Sequence, residues 1–193
     1  MAQTEQKNQN VKKQFEELQS LLERAMALQT SMVLFEWDDE TLAPKGAAEH
    51  TARVIGSLSE QYQEILASMR FKELLDACQK AEKENAGVFD EVQSAILREA
   101  AEEQERLSCI PPEEYRAYAE LTARATGIWT RAREKNDFAS FAPVLKEIIS
   151  YQKKFAAYRA KPGQKLYDVM LDTYEKGFNM EMLDPFFELM KGK

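Results

Sequence analysis

Histidine is the scarcest functional residue in this 193-residue chain, which holds one, His50. That count excludes much chemistry. A zinc peptidase helix needs two histidines four residues apart, with a glutamate to activate water. Here the residue four on from His50 is Val54. A ferritin-like di-iron bundle needs two Glu-x-x-His pairs, and one imidazole cannot supply them. A serine or cysteine triad has only His50 to be built around. Cysteine is nearly as rare. Cys78 and Cys109 lie far apart with no second metal ligand beside either. They read as small buried hydrophobes in a reduced, cytoplasmic compartment.

Other shortages narrow the class. Seven glycines and six prolines are few for this length, against a many-turned β architecture. No apolar run approaches the ~20 residues that span a bilayer, and no apolar stretch follows a basic start as in a signal peptide. Net positive charge is missing too. There are 33 acidic against 26 basic residues, a net charge of −7, and the basic residues are interspersed with acids. Such a surface repels a phosphate backbone, so neither nucleic acid nor membrane is an expected partner.

What is present is helical periodicity. Residues 1–9 are polar and read as a disordered N-terminus, with a single helical domain over 10–193. Val11, Phe15, Leu18, Leu22, Ala25, Leu28, Met32 and Phe35 recur every three or four residues, the mark of one buried helix face. This first helix is expected to end near Trp37, ahead of Pro44 and Gly46. A second begins around Ala47, with Thr51, Val54, Ile55, Leu58, Tyr62, Ile65, Leu66 and Met69 on its stripe. A third runs from Phe71 to Glu82 through Leu74, Leu75 and Cys78. Asn85-Ala86-Gly87 breaks it, and a fourth spans Val88 to Leu107 through Val92, Ile96, Leu97 and Ala100.

Pro111-Pro112-Glu113-Glu114 is a helix start, with proline in the first turn and acids at the positive dipole end. The fifth helix carries Tyr115, Tyr118, Leu121, Thr122, Ala125, Trp129 and Ala132, and Asn136-Asp137 punctuates it. The sixth uses Phe141, Leu145, Ile148, Ile149, Gln152 and Phe155, with Ser140 as N-cap. Lys161-Pro162-Gly163-Gln164 is a loop. A short helix at Tyr167–Tyr174 stops at Gly177. Asn179 caps a last helix through Leu183, Phe186, Phe187 and Met190. There Pro185 predicts either a kink or a new start capped by Asp184. No segment alternates strictly. The fold class is all-α, about seven helices packed as antiparallel neighbours. The last helix's apolar stripe needs a cover: this bundle, another copy, or further sequence.

Candidate site residues reduce to few. Asp38, Asp39 and Glu40 are the densest acidic cluster. Consecutive residues on a helix diverge by about 100°, so three in a row do not converge on one ion. Trp37 is instead expected to anchor the turn in the core, with one or more acids capping the next element. Glu49-His50 is no half zinc motif, and His50 is structural or solvated. The aromatics Phe35, Trp37, Tyr115, Tyr118, Trp129, Phe138 and Phe141 fall at helical spacing and read as core. No catalytic, cofactor-binding or metal-ligating residue is assigned.

Three stretches carry a resemblance. They are Trp37-Asp38-Asp39-Glu40-Thr41-Leu42-Ala43-Pro44-Lys45-Gly46-Ala47, Asn136-Asp137-Phe138-Ala139-Ser140-Phe141-Ala142-Pro143 and Leu166-Tyr167-Asp168-Val169-Met170-Leu171-Asp172-Thr173-Tyr174-Glu175. In this order they resemble the amino-terminal part of the carboxypeptidase Taq family of zinc metallopeptidases, from Phe15 to Met190. The family commonly has methionine at the place of Ala43 and proline at that of Lys176. The resemblance implies a many-helix fold with a deep groove, these helices forming one wall and part of the cover. It implies a zinc-dependent exopeptidase that removes residues one at a time from peptide carboxyl termini, often as a homodimer. There the metal is held by the two histidines of His-Glu-x-x-His and a downstream glutamate, all carboxyl-terminal to the region matched here. No residue of this chain corresponds to them, so zinc and peptide substrate belong to the parent enzyme. The reading is an amino-terminal helical fragment of a zinc metallocarboxypeptidase, inactive alone. The alternative is a stand-alone interaction or dimerisation module without catalysis.

Overall fold

Side-chain capping sets four of the helix starts. The structure is a computed structural model describing residues 2–44 and 46–192. Eight helices and no strand occur among them: α1 (Ala2–Thr41), α2 (Ala48–Ala67), α3 (Met69–Glu84), α4 (Glu91–Ser108), α5 (Pro112–Glu134), α6 (Phe138–Arg159), α7 (Leu166–Tyr174) and α8 (Met180–Lys191). The class is all-α, with eight helices where about seven were expected.

Four helix starts are closed by a side chain that accepts an otherwise orphaned backbone N–H. The Ser68 hydroxyl accepts from Phe71 N at 3.1 Å and starts α3 directly after α2. Asp90 and Gln93 form a reciprocal capping box, at 2.8 and 3.1 Å, that starts α4. That box moves the start of α4 past Val88 and Phe89. These two were expected inside the helix and instead sit buried in the loop before it. Asp137, not Ser140, caps α6, accepting from Ser140 N at 3.2 Å. Asn179 caps α8 as expected, accepting from Met182 N at 3.1 Å. Pro185 lies inside α8, which continues through it with neither a second start nor a cap at Asp184.

Helix α1 is 40 residues long, about 60 Å at 1.5 Å per residue. Residues 2–9 are assigned to the helix from Ala2. At the other end it runs past Trp37 to Thr41, whose hydroxyl donates back to Trp37 O at 2.6 Å.

The core gathers on the first half of α1. Val11, Phe15, Leu18 and Ala25 pack with Tyr62 and Leu66 of α2, Phe71, Leu74, Leu75 and Cys78 of α3, and Leu97, Ala100 and Leu107 of α4. Phe89 closes this core from the loop, its ring centroid 5.1 Å from that of Phe15. Gln63, fully buried, ties α2 to the end of α4: its Nε2 donates to Leu107 O at 3.1 Å and Ile110 O at 2.7 Å.

The second half of α1 leaves this core. Leu22, Leu28 and Met32 are half-buried, while Met26, Val33, Leu34, Phe35 and Trp37 are exposed. Beyond it, α5 packs on α2 and carries α6 outward. Tyr118, Tyr151 and Phe155 fill the α5–α6 seam, with centroids 5.3 to 5.8 Å apart. Helix α7 packs on α6. Helix α8 buries no residue, and its Phe186 and Phe187 are each 53% exposed.

Candidate functional site

The three stretches that carry the resemblance are all built around turns. The first is the last turn of α1 and the α1–α2 connection. Leu42 N and Ala43 N donate to Asp38 O at 2.9 and 2.8 Å, and Ala47 N donates to Pro44 O at 2.8 Å. The second is the α5–α6 turn. Asn136 takes a left-handed φ of 52°, a conformation that asparagine tolerates better than most residues. Asp137 then starts α6. The third is α7, whose two aspartates hold the following turn. Asp168 Oδ1 accepts from Met180 N at 2.9 Å, and Asp172 Oδ1 accepts from Gly177 N at 2.8 Å. Gly177 has φ of +82°, which favours glycine. The aspartates of the last two stretches are therefore occupied by backbone N–H groups.

The acids of the first stretch are not. One or more of Asp38, Asp39 and Glu40 were expected to cap the next element, but the N-cap of α2 is Ala47, with no side-chain cap. Because α1 runs on to Thr41, the three acids lie in its final turn. Exposed carbonyls make that the negative end of a helix. No basic residue lies in that turn. Trp37 does not anchor the turn in the core and is 57% exposed.

Glu36, a residue the sequence reading passed over, joins them. It stands four residues before Glu40, where two like charges face each other. Burial raises its carboxyl above the ordinary carboxylate range, and the Glu40 charge adds to the rise. Glu36, Asp39 and Glu40 form one wall of a cleft of about 260 Å3 between α1, α2 and α5. Thr51 of α2 and Thr122 and Thr126 of α5 face them. The i, i+4 spacing of Glu36 with Glu40, and of Thr122 with Thr126, was the available sequence signal.

The remaining candidates scatter. His50 is exposed on the first turn of α2. Glu49 lies 3.9 Å from Arg124. Cys78 is buried, and burial pushes its thiol up to about 11. Cys109, the C-cap of α4, is only half-buried, contrary to the buried role expected for both cysteines. Of the seven aromatics expected in the core, Phe35, Trp37, Trp129 and Phe138 are exposed, and Tyr115, Tyr118 and Phe141 are half-buried. Trp129 instead carries the Arg133 guanidinium 4.4 Å from its ring centroid. Val92 and Met69, expected on apolar stripes, are exposed as well.

The residues present do not fit a zinc centre. Zinc takes at least three protein donors in a converging set. No group of three His, Cys, Asp or Glu side chains is placed to hold a metal among the described residues.

Comparison with known proteins places this arrangement. The family model described as Carboxypeptidase Taq (M32) metallopeptidase matches residues 17–193. Carboxypeptidase 1 of Bacillus subtilis (strain 168) is 33% identical over 171 residues, 89% of this chain and 33% of the relative. Thermostable carboxypeptidase 1 of Pyrococcus furiosus is 30% identical over 170 residues, 88% of this chain and 33% of the relative. A solved structure described as BsuCP superposes with a TM-score of 0.86 at 32% identity, covering 93% of this chain and 35% of that one. The chain thus spans about a third of the length of the curated relatives it matches.

Proposed function

The chain belongs to the carboxypeptidase Taq (M32) metallopeptidase family, and on that premise we propose that it forms the amino-terminal helical wall of a zinc metallocarboxypeptidase. The parent enzyme removes residues from peptide carboxyl termini. The single observation that carries this reading is the match over residues 17–193 to one third of much longer carboxypeptidases, in a chain with one histidine. Zinc and the water-activating glutamate belong to the other two thirds. The chain by itself binds no zinc and hydrolyses no peptide. Its two free cysteines support a reduced, cytoplasmic setting. An excess of acid over base disfavours nucleic acid as a partner.

Two arms test the proposal. The chain alone, supplied with zinc, is assayed for release of the carboxyl-terminal residue from blocked dipeptides. The expected result is none, and chelator-sensitive release, or zinc bound one to one, overturns the reading. A chimera in which residues 17–193 replace the matching third of the Bacillus subtilis relative is expected to hydrolyse the same substrates.

One observation favours a second reading, an interaction or homodimerisation module. Helix α8 leaves Phe186, Phe187 and Met190 more than half exposed, the two rings packed edge-on against each other. Sedimentation of the chain with and without Phe186→Ser and Phe187→Ser decides it. A dimer that both substitutions dissolve supports the module.

A further inference from the structure

We propose that the cleft between the end of α1, α2 and α5 is a binding site for an organic cation, the guanidinium or ammonium head of a basic peptide side chain. Three features of the cleft point to it.

The first is a lining rich in acceptors. Glu36, Asp39 and Glu40 supply carboxylates, and none of the ten lining residues has a nitrogen donor in its side chain. The hydroxyls of Thr122 and Thr126 donate backward along α5, Thr122 to Tyr118 O and Ala119 O at 3.1 and 3.0 Å, Thr126 to Thr122 O at 3.5 Å. Their lone pairs are left as acceptors. Arg124, on the same stretch of α5, is directed to Glu49.

The second is Thr51. It is 8% exposed and lines the cleft, and its hydroxyl has no hydrogen-bond partner among the described residues. Its polar contact is therefore with whatever fills the cleft. An occupant unable to hydrogen-bond would leave that hydroxyl unsatisfied at a cost of about 1–3 kcal/mol, so a polar occupant is favoured there.

The third is the charge arrangement. Four acids, Glu36, Asp38, Asp39 and Glu40, end a helix at its negative pole with no basic residue in the last turn. An isolated helix gains nothing from this order and loses stability by it. A bound cation adds an attraction to each of these carboxylates and so offsets the repulsion.

The same geometry selects among cations. The carboxylates do not converge as a metal set. A guanidinium spreads five N–H donors over a planar fork and can reach several separated acceptors at once. The volume of about 260 Å3 lies just under the range of ~300–1,000 Å3 for drug-sized ligands. It suits one side-chain head group. This site does not depend on catalytic competence, so its fate is separate from that of the peptidase reading.

The test is a titration of the isotope-labelled chain with N-acetylarginine amide, followed by NMR at Glu36, Asp39, Thr51, Thr122 and Thr126. N-acetylcitrulline amide, the neutral isostere, is the control. Lys45, outside the described residues, is substituted in a parallel Lys45→Met chain so that the protein's own ammonium does not compete. Saturable shifts confined to the cleft are expected with arginine in either chain and not with citrulline. Glu36→Gln and Asp39→Asn are each expected to weaken arginine binding about tenfold, the worth of one charge-assisted hydrogen bond. The same substitutions are expected to raise the melting temperature, which separates lost binding from lost fold. No saturable shift in either chain, or equal binding of citrulline, overturns the proposal. Repeating the titration on the Bacillus chimera identifies the source of the cation. Persisting shifts assign it to a peptide ligand, and a cleft closed to the probe assigns it to a basic residue of the other two thirds.

Discussion

Replacing Gln63 by glutamate changes one nitrogen into one oxygen, and the structure says what that atom is worth. Gln63 is fully buried and its Nε2 serves two carbonyls, those of Leu107 and Ile110. Its own Oε1 has no partner. An ionised carboxylate at this position places negative charge against two carbonyl oxygens with no donor to offset it. The folded state of Gln63→Glu therefore holds the carboxyl protonated. Taking up a proton at pH 7 against a reference pKa of about 4.3 costs about 3.7 kcal/mol, at 1.36 kcal/mol per pH unit. Loss of one of the two hydrogen bonds adds about 1 kcal/mol. The sign follows from linkage. The folded-state pKa is raised above the unfolded one, so the variant's relative stability is fully present below about pH 4.3. It is lost at roughly 1.4 kcal/mol per unit as pH rises toward the folded-state value. Urea unfolding of wild type and variant at pH 5, 6 and 7, followed by circular dichroism, measures this directly. The deficit is expected to grow by about 2.7 kcal/mol between pH 5 and 7. A deficit that does not change with pH refutes the buried clamp. Gln63→Met is the complementary case. It orphans Ile110 O but also removes the unpartnered Oε1, and Leu107 O keeps the N–H of Ile110 at 3.1 Å. The two desolvation costs largely cancel, leaving about 1 kcal/mol of destabilisation.

Two further outcomes are expected. A Cβ on Gly56 falls 2.3 Å from Cγ of Glu120, which holds Arg116 at 3.0 Å while Arg116 also reaches Glu60 at 2.9 Å. Gly56→Ala is expected to lower stability by about 1 kcal/mol, overpacking outweighing the better helix propensity. In a Glu120→Ala background it is expected to become stabilising, and a melting temperature that rises in both backgrounds contradicts the close approach. For the cysteines, a thiol reagent applied to native protein is expected to label Cys109 promptly and Cys78 only on unfolding, since burial holds Cys78 as the thiol. By the same linkage the Cys78 contribution to stability is lost between pH about 9 and about 11, as the unfolded thiol ionises first.

The helices themselves were largely written in apolar spacing. Phe71, Leu74, Leu75 and Cys78, or Val11, Phe15 and Leu18, repeat at a period that has one physical use, a buried helical face. Caps and breakers were legible where they act through neighbours a few residues away, as at Asn179 and at Asn85. Periodicity failed where burial depends on whether another element arrives. Phe35, Trp37 and Trp129 have the spacing of core residues and lie exposed, because no described helix covers the faces of α1 and α5 that carry them. The cleft was invisible for the same reason. Glu36 is ordinary in sequence and becomes distinctive only when Thr51 and Thr122 are brought opposite it.

By itself the sequence determined the helical class and the scarcity of zinc donors, because both follow from residue type and local spacing. One imidazole stays one imidazole however the chain folds. Only the tertiary structure decided which apolar faces are covered, and that the acids after Trp37 line a cleft instead of capping α2. Those facts depend on which helices arrive beside each face of α1, and distance along the chain does not encode it.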